Sequence, residues 1–261
     1  MNEGGSDGAF TTCRKILTGM DQRTEAVVPE RSGGGAEPRA TRPRGRFITF
    51  EGGEATGKST QAAMLASRLE SLGLEVLLTH EPGGSPGAEV MRHVLLSGAA
   101  KPLGPEAEAM LFAAARADHV KCTILPALSA GTWVVCDRFA DSTRVYQGVL
   151  GAVDARLIKA LERVSIGDLQ PDLTIVLDLP VKTALQRAAL RRAGSMADRF
   201  EAEEVEFHER LREAYRALAA AEPHRCVLVD AGGMKDEVAA RIWQAAGLDR
   251  ATGQVISDGA R

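Results

Sequence analysis

Short apolar strands alternating with helix-length stretches predict an open α/β fold: a three-layer α/β/α arrangement around a five-stranded parallel sheet. Two observations carry that expectation. From Arg46 onward the β-branched runs are each separated from the next by a helical segment, which calls for parallel pairing through right-handed crossovers. The first strand also runs through a glycine-rich loop directly into a helix. Ligands of such sheets bind beyond the carboxyl ends of the strands.

Phe47 to Phe50 is the first strand, followed by a helix from about Lys58 to Leu72. Val76 to Leu78 is the second strand, and Ala88 to Leu96 a helix. A long helical region spans Glu106 to Leu128, with Pro126 near its end, before a third strand at Thr132 to Cys136. A helix at about Asp154 to Val164 precedes the fourth strand, Leu173 to Leu179. A strongly charged helical stretch, Val181 to Ala221, is interrupted near Gly194. Cys226 to Val229 is the fifth strand and Glu237 to Ala246 the last helix.

The 261 residues suit one domain with appendages, and 44% hydrophobic with 26% charged residues is an ordinary globular balance. A net charge of -3 gives no reason to expect a nucleic-acid polymer or an acidic membrane as partner. No apolar run reaches the roughly 20 residues that span a bilayer. Cys13, Cys122, Cys136 and Cys226 form no CxxC pair; free thiols in strand-like runs fit a cytoplasmic location. Residues 1–45 read as a disordered leader, with Ser32-Gly33-Gly34-Gly35 and Arg42-Pro43-Arg44 in it. Its acids Glu3, Asp7, Asp21, Glu25 and Glu30 argue against a transit peptide. Residues 46–248 form the folded domain and 249–261 a flexible tail.

Gly52-Gly53-Glu54-Ala55-Thr56-Gly57-Lys58-Ser59, continued by Thr60, matches GxxxxGK[ST] between a strand and a helix. Backbone N–H groups of such a loop point at phosphate oxygens, and the helix N-terminus adds partial positive charge. Lys58 is expected on the β- and γ-phosphates of ATP, with Ser59 on Mg²⁺. Glu54 is the odd member. A carboxylate beside a triphosphate is repelled unless it turns toward a second substrate; otherwise it is an exposed loop acid.

No NKxD motif marks a guanine switch, and Asp137 is followed by Arg138 rather than by a second acid, unlike a motor ATPase. Asp137 can serve the metal or an acceptor hydroxyl, and Arg138 can grip an anion through two N–H groups. A cation there suggests that the acceptor is itself a phosphate, so a nucleoside monophosphate is the economical substrate.

Phe50-Glu51-Gly52 through Thr60, Glu81-Pro82-Gly83-Gly84-Ser85, Phe112-Ala113-Ala114-Ala115-Arg116, Asp137-Arg138-Phe139 with Asp141-Ser142-Thr143, and Asp198-Arg199-Phe200-Glu201 fall in order along the chain. Together they resemble the thymidylate kinase family over nearly everything from Arg46 to about Leu248. The resemblance implies a nucleoside monophosphate kinase fold and Mg²⁺-dependent transfer from ATP to dTMP, giving ADP and dTDP. It places Phe112 on the thymine ring and Arg116 on its O4. Thr143, Gln147 and Ser142 face the acceptor, Tyr146 crowds the sugar 2′ position, and Glu54 meets the 3′-hydroxyl. Arg138, helped by Arg92, holds the acceptor phosphate, and Glu81 borders the metal with Ser59 and Asp137.

Because the variable positions of the phosphate loop carry no Arg or Lys, the resemblance puts charge-compensating arginines in a lid at about 187–200. Arg191 comes first, with Arg192, Arg187 and Arg199 beside it. It also implies a homodimer, for which Ala107, Met110, Leu111 and Ala114 could supply an apolar face. Alternatives stay open: a kinase of dUMP, UMP or CMP, or a nucleotide-dependent regulator without transfer. Bland readings also remain, with Phe112 and Tyr146 as packing residues, Arg92 and part of the lid as solvated surface, and Glu81-Pro82-Gly83-Gly84 as a plain turn. His80 stands where many members carry Arg, and Phe139 where Tyr or His is common.

Overall fold

The computed structural model describes residues 44–192 and 204–248, with the side chains of Arg191 and Arg192 outside the description. Strand β1 is Phe47–Gly52, and helix α1 is Lys58–Ser71. Next come β2 (Val76–His80), α2 (Pro86–Leu96), a 3₁₀ turn at Lys101–Leu103, and α3 (Pro105–His119). A π-helical turn, Val120–Ile124, joins α3 to α4 (Leu125–Ser129), which leads into β3 (Trp133–Asp137). Helix α5 (Ala140–Thr143) widens into a π-helical stretch, Arg144–Leu150, before α6 (Ala155–Ile166) and β4 (Leu173–Asp178). The chain continues through α7 (Val181–Arg192), α8 (Val205–Ala221), β5 (Cys226–Asp230) and α9 (Lys235–Ala245).

Among the described residues the strands form one five-stranded sheet in the order β2-β3-β1-β4-β5, every pair parallel. The expected fold class is the one found. Four of the five strands run one or two residues nearer the carboxyl edge than expected, because the polar ends Glu51, His80, Asp137 and Asp230 still pair, whereas β4 stops at Asp178, one residue short of the expected Leu179. The sequence reading has no element between 140 and 150, where α5 and its π-helical continuation lie. That segment is too polar at its start to show an apolar period.

The pleat sorts β1 between two layers. Ile48 and Phe50 pack with Leu65, Leu69, Ile175 and Trp243 under α1 and α9. Phe47 packs on the other face with Ile124, Leu128, Val134 and Phe139, whose ring meets Phe47 edge-on at 4.8 Å. Burial of the Phe139 ring explains why no polar tip is needed there. Glu51 therefore points into the same layer as Phe47, under α5 and α8.

Arg44 and Gly45, read from sequence as the end of the leader, already belong to the fold. Arg44 pairs with Asp172 at 3.2 Å, and the Gly45 N–H donates to the Leu128 carbonyl at 2.9 Å. The remainder of the leader, the tail and Arg199 lie outside the described residues.

A buried ion pair anchors α5 to the far side of the sheet. Arg225, just before β5, donates to both Asp141 oxygens at 2.7 and 2.8 Å and to Thr174 Oγ1 at 2.9 Å. Both side chains are almost wholly buried. Removing one partner of such a pair strands a charge in a poor solvent. Arg225→Met should therefore lower the unfolding free energy by about 3–5 kcal/mol, read from urea midpoints. A loss below about 1 kcal/mol would show that α5 is anchored otherwise.

Candidate active site

Every motif read from the sequence before the lid comes together at the carboxyl edge of β1, β2 and β3. Register does the placing. Phe50 pairs with Asp137 and His80 with Asp137, so the ends of the three strands stand side by side. The Arg138 N–H donates to the Phe50 carbonyl and the Glu81 N–H to the Asp137 carbonyl, both at 2.9 Å, extending the ladder into the loops.

The phosphate loop leaves β1 at Gly52, where φ is +131° and an added Cβ would sit 2.5 Å from the Leu177 carbonyl oxygen. Only glycine fits there. Gly57 caps α1 in a left-handed conformation with φ +99° and open space around it. Its constraint is the backbone turn that aims the first N–H groups of α1 into the loop. Lys58 folds back over the loop, its Nζ donating to the Gly53 carbonyl at 2.6 Å. Burial, with the nearby Arg138 charge, pushes Lys58 down to about 8 against the pull of Glu54, Asp137 and Glu51. A polyphosphate would restore its proton. Ser59 donates to Asp137 Oδ2.

Glu54 turns away from the phosphate side, as its charge requires. Its Oε1 accepts from Arg138 Nη2 and from the Tyr146 hydroxyl, each at 2.6 Å. Burial works to raise Glu54, yet Arg138, Lys58 and the Tyr146 hydrogen bond hold it down at about 2. Arg138, at φ +71°, also donates to the Gly52 carbonyl, Ser142 Oγ and the Tyr215 hydroxyl at 3.3 Å, and to the Tyr146 hydroxyl at 3.2 Å.

Beneath this group lies Glu51, which the sequence reading gave no role of its own. Its Oε1 accepts from the N–H groups of Phe139 and Ser142 at 2.8 and 3.1 Å. Its Oε2 accepts from Ser142 Oγ at 2.7 Å and the Tyr215 hydroxyl at 3.0 Å. Burial, reinforced by Asp141, pushes Glu51 up to about 7 despite those donors. Ser142, expected to face the acceptor, lines the cavity while its hydroxyl donates to Glu51 and holds the Arg138 turn. Tyr215 on α8 was missed altogether, because a lone Tyr in an amphipathic helix reads as core.

A cavity of about 780 Å³ opens over these residues, bounded by Lys58, Ser59 and Thr60 on one side and by Phe112, Arg116, Thr143 and Gln147 on the other. That volume suits a small organic ligand. Phe112 and Arg116 share a face of α3, as their spacing predicts. Arg116 is buried, with Nε donating to Glu81 Oε2 at 2.7 Å and Nη2 to the Phe139 carbonyl at 3.2 Å and Thr143 Oγ1 at 3.0 Å. The Glu81 carboxylate, expected to border the metal, is held by side chains of α3. Its second oxygen accepts from His119 Nδ1 at 3.0 Å, so both oxygens are engaged by α3. Arg92 reaches the cavity wall and donates to the Pro82 carbonyl. His80 pairs with Glu89 at 3.3 Å.

Arg187, placed in the lid from sequence, donates instead to the carbonyls of Ala231 and Gly233 at 3.1 and 3.2 Å, pinning the loop between β5 and α9.

The comparisons agree with this geometry. The thymidylate kinase family model matches residues 50–242. A thymidylate kinase of Bradyrhizobium diazoefficiens is 65% identical over 202 residues, covering 77% of this chain and 89% of the relative. One from Nitrobacter winogradskyi is 61% identical over 210 residues, covering 80% and 91%. The crystal structure of thymidylate kinase from Ehrlichia chaffeensis superposes with a TM-score of 0.62 at 32% identity, over 77% of this chain and 98% of that one. The chain belongs to the thymidylate kinase family.

As a thymidylate kinase family member it is a phosphotransferase, and the donor set around Ser59 can be tested against the cation such chemistry uses. Asp137 Oδ1 is buried with no hydrogen-bond partner among the described residues, while Oδ2 accepts the Ser59 hydroxyl. A carboxylate and a hydroxyl are hard oxygen donors that fit Mg²⁺, which takes few protein ligands and completes its shell with phosphates and water. Among the described residues no cluster of three metal-binding side chains occurs.

The depressed Lys58 sets a pH dependence. Between about 8 and its usual 10.5 the ligand-free lysine sheds its proton, and an anionic phosphate must bring it back. ATP affinity should hold steady below about pH 7 and weaken up to about tenfold per pH unit above 8. Calorimetry near pH 9 should show proton uptake through buffer-dependent enthalpies, lost in Lys58→Met. A flat profile would contradict the shift.

Proposed function

We propose that this chain transfers the γ-phosphoryl group of ATP to dTMP, giving ADP and dTDP. The observation that carries the reading is a single cavity with a phosphate loop at one side and an aromatic–arginine face at the other. Arg138 and Glu54 stand between them. A regulator without transfer would need the first side only.

Lys58 and the loop N–H groups bind the donor phosphates. Ser59 and Asp137 would hold Mg²⁺, which supplies charge neutralisation across the donor phosphates when bound. Arg138, with Arg92 beside it, receives the acceptor phosphate. Phe112 stacks on the base, Arg116, Thr143 and Gln147 read its edge, and Tyr146 with Glu54 faces the sugar. The attacking oxygen is already anionic, so transfer needs alignment and charge compensation rather than a strong base.

Further compensation comes from the lid. Since Arg187 is engaged at the loop after β5, Arg191 leads the assignment, with Arg192 and Arg199 beside it. The apolar face of α3 supports a homodimer: Met110 is half exposed, and Ala114 lies one turn along the same surface. Cytoplasmic function agrees with the free Cys122, Cys136 and Cys226.

Steady-state ADP release with dTMP, dUMP, UMP and CMP tests the reading. The expected order puts dTMP first, with the ribonucleotides at least about tenfold lower in kcat/KM. A preference for UMP or CMP would transfer the site to another monophosphate kinase, and ATP binding without dTMP-dependent turnover would make it a regulator. Arg191→Ala should lower kcat by about 10²-fold or more with little change in dTMP binding. Weaker dTMP binding at unchanged kcat would reject its catalytic role.

A further inference from the structure

The arginine on the base side is held by a chain of buried polar groups that the reaction does not use directly. Arg116 lends Nε and Nη2 to Glu81, Thr143 and the Phe139 carbonyl, which fixes the plane of its guanidinium. Among the described residues Nη1 has no partner, and Arg116 lines the cavity beside Phe112. Glu81 has both oxygens taken, one by Arg116 and the other by His119 Nδ1 at 3.0 Å. His119 Nε2 lies 2.8 Å from Thr79 Oγ1 on β2. His119 is fully buried, and the Arg116 and Glu81 side chains are only 4% exposed.

Geometry decides what this chain of contacts does. Glu81 follows β2 and is tied by its backbone to the Asp137 carbonyl, whereas Arg116 and His119 sit one helical turn apart on α3. Without His119, Oε1 would be a buried acceptor with nothing to accept, and the carboxylate would rotate to share its oxygens with Arg116. The guanidinium plane would turn with it, changing how Arg116 meets the cavity that it lines. A neutral imidazole that accepts from Thr79 at Nε2 carries its proton on Nδ1, the tautomer that Glu81 requires.

We infer that His119, acting through Glu81, is a positioning residue that aims Arg116 at the base and so sets the preference for a 4-oxo over a 4-amino pyrimidine monophosphate. The inference rests on the reading that Arg116 faces the acceptor base. It distinguishes the two nitrogens of one imidazole, which a packing role does not.

The test uses dTMP and 5-methyl-dCMP, which differ in the 4-oxo or 4-amino group and in the N3 proton that accompanies it. Asn at 119 places its amide near Nδ1 and keeps the donor to Glu81; Gln reaches the Nε2 position and loses it. His119→Gln should raise KM for dTMP about tenfold, leave KM for ATP within about twofold, and cut the dTMP to 5-methyl-dCMP ratio of kcat/KM by about tenfold. His119→Asn should stay within about threefold of the parent on each measure. Equal effects of Gln and Asn, or an ATP KM that moves as far as that of dTMP, would overturn the inference. Should His119→Gln not fold, Thr79→Val, which fits the strand, frees the tautomer and should lower the same ratio by about threefold; no change there would overturn it too. If Arg116→Gln leaves the ratio untouched, the base-reading role fails and takes this inference with it. If Arg116→Gln collapses the ratio while His119→Gln does not, the role of His119 alone is refuted.

Discussion

A guanidinium withdrawn from water must be met by acceptors on several sides, and the way Arg138 is met organises the rest of the site. Its partners come from the phosphate loop (Gly52 and Glu54), from α5 (Ser142), from the π-helical stretch (Tyr146) and from α8 (Tyr215). None of these segments can shift far without leaving a charge or a hydroxyl buried and unpaired, at a cost of several kcal/mol. The residue itself sits at φ +71°, a conformation that a side chain other than glycine tolerates only where its surroundings dictate it. Donor and acceptor halves of the cavity are thereby locked to one another through a single side chain.

That lock has a foundation in the pleat of β1. Alternation sends Phe47 and Glu51 to one face and Ile48 and Phe50 to the other, so the strand that delivers the phosphate loop also delivers a carboxylate beneath the Arg138 turn. Glu51 gathers the N–H groups of Phe139 and Ser142 from the first turn of α5 and the hydroxyl of Tyr215 from α8. Asp141, beside it, is gripped by Arg225 from the far edge of the sheet. Apolar packing sets the layers, but these polar contacts set the orientation of the acceptor wall. Hydrogen-bond directions are narrower than van der Waals contacts, which suits a site where small displacements are costly.

Legibility in the sequence follows the same division. Strands and the phosphate loop are visible because apolar period, glycine spacing and the GKS signature are local. The direction taken by Glu54 was also legible, from charge repulsion alone. The segment from Ala140 to Leu150 was not: its opening Ala-Asp-Ser-Thr carries no helical apolar stripe, and its widened turns follow no 3.6-residue period. The partners of Glu81, Arg116 and His119, were not legible because they lie some 35 to 38 residues away in the sequence. Arg187 was placed with its helical neighbours, yet α7 turns it toward carbonyls of the loop after β5. What one sequence hides is the identity of long-range polar partners, since any Asp, Tyr or His is compatible with many environments.

The charges left over explain the order in which the two sides of the cavity are built. Arg138 is matched by Glu54, which Arg138 itself holds ionised, so that pair is close to neutral before a substrate enters, and Arg92 adds a positive charge at the same wall. Lys58 donates to the Gly53 carbonyl and makes no direct ion pair among the described residues, and burial outweighs the pull of Glu54, Asp137 and Glu51, so its charge is poorly compensated. A polyphosphate gains most from the second environment, and a monoester with its single phosphate can share Arg138 with Glu54 without a large excess of charge. A triphosphate on the acceptor side would face Glu54 across a short distance and be repelled. On the proposed reading, the same carboxylate that looked out of place in a phosphate loop would sort the two nucleotides between two ends of one cavity, by electrostatics that act before any contact with a base.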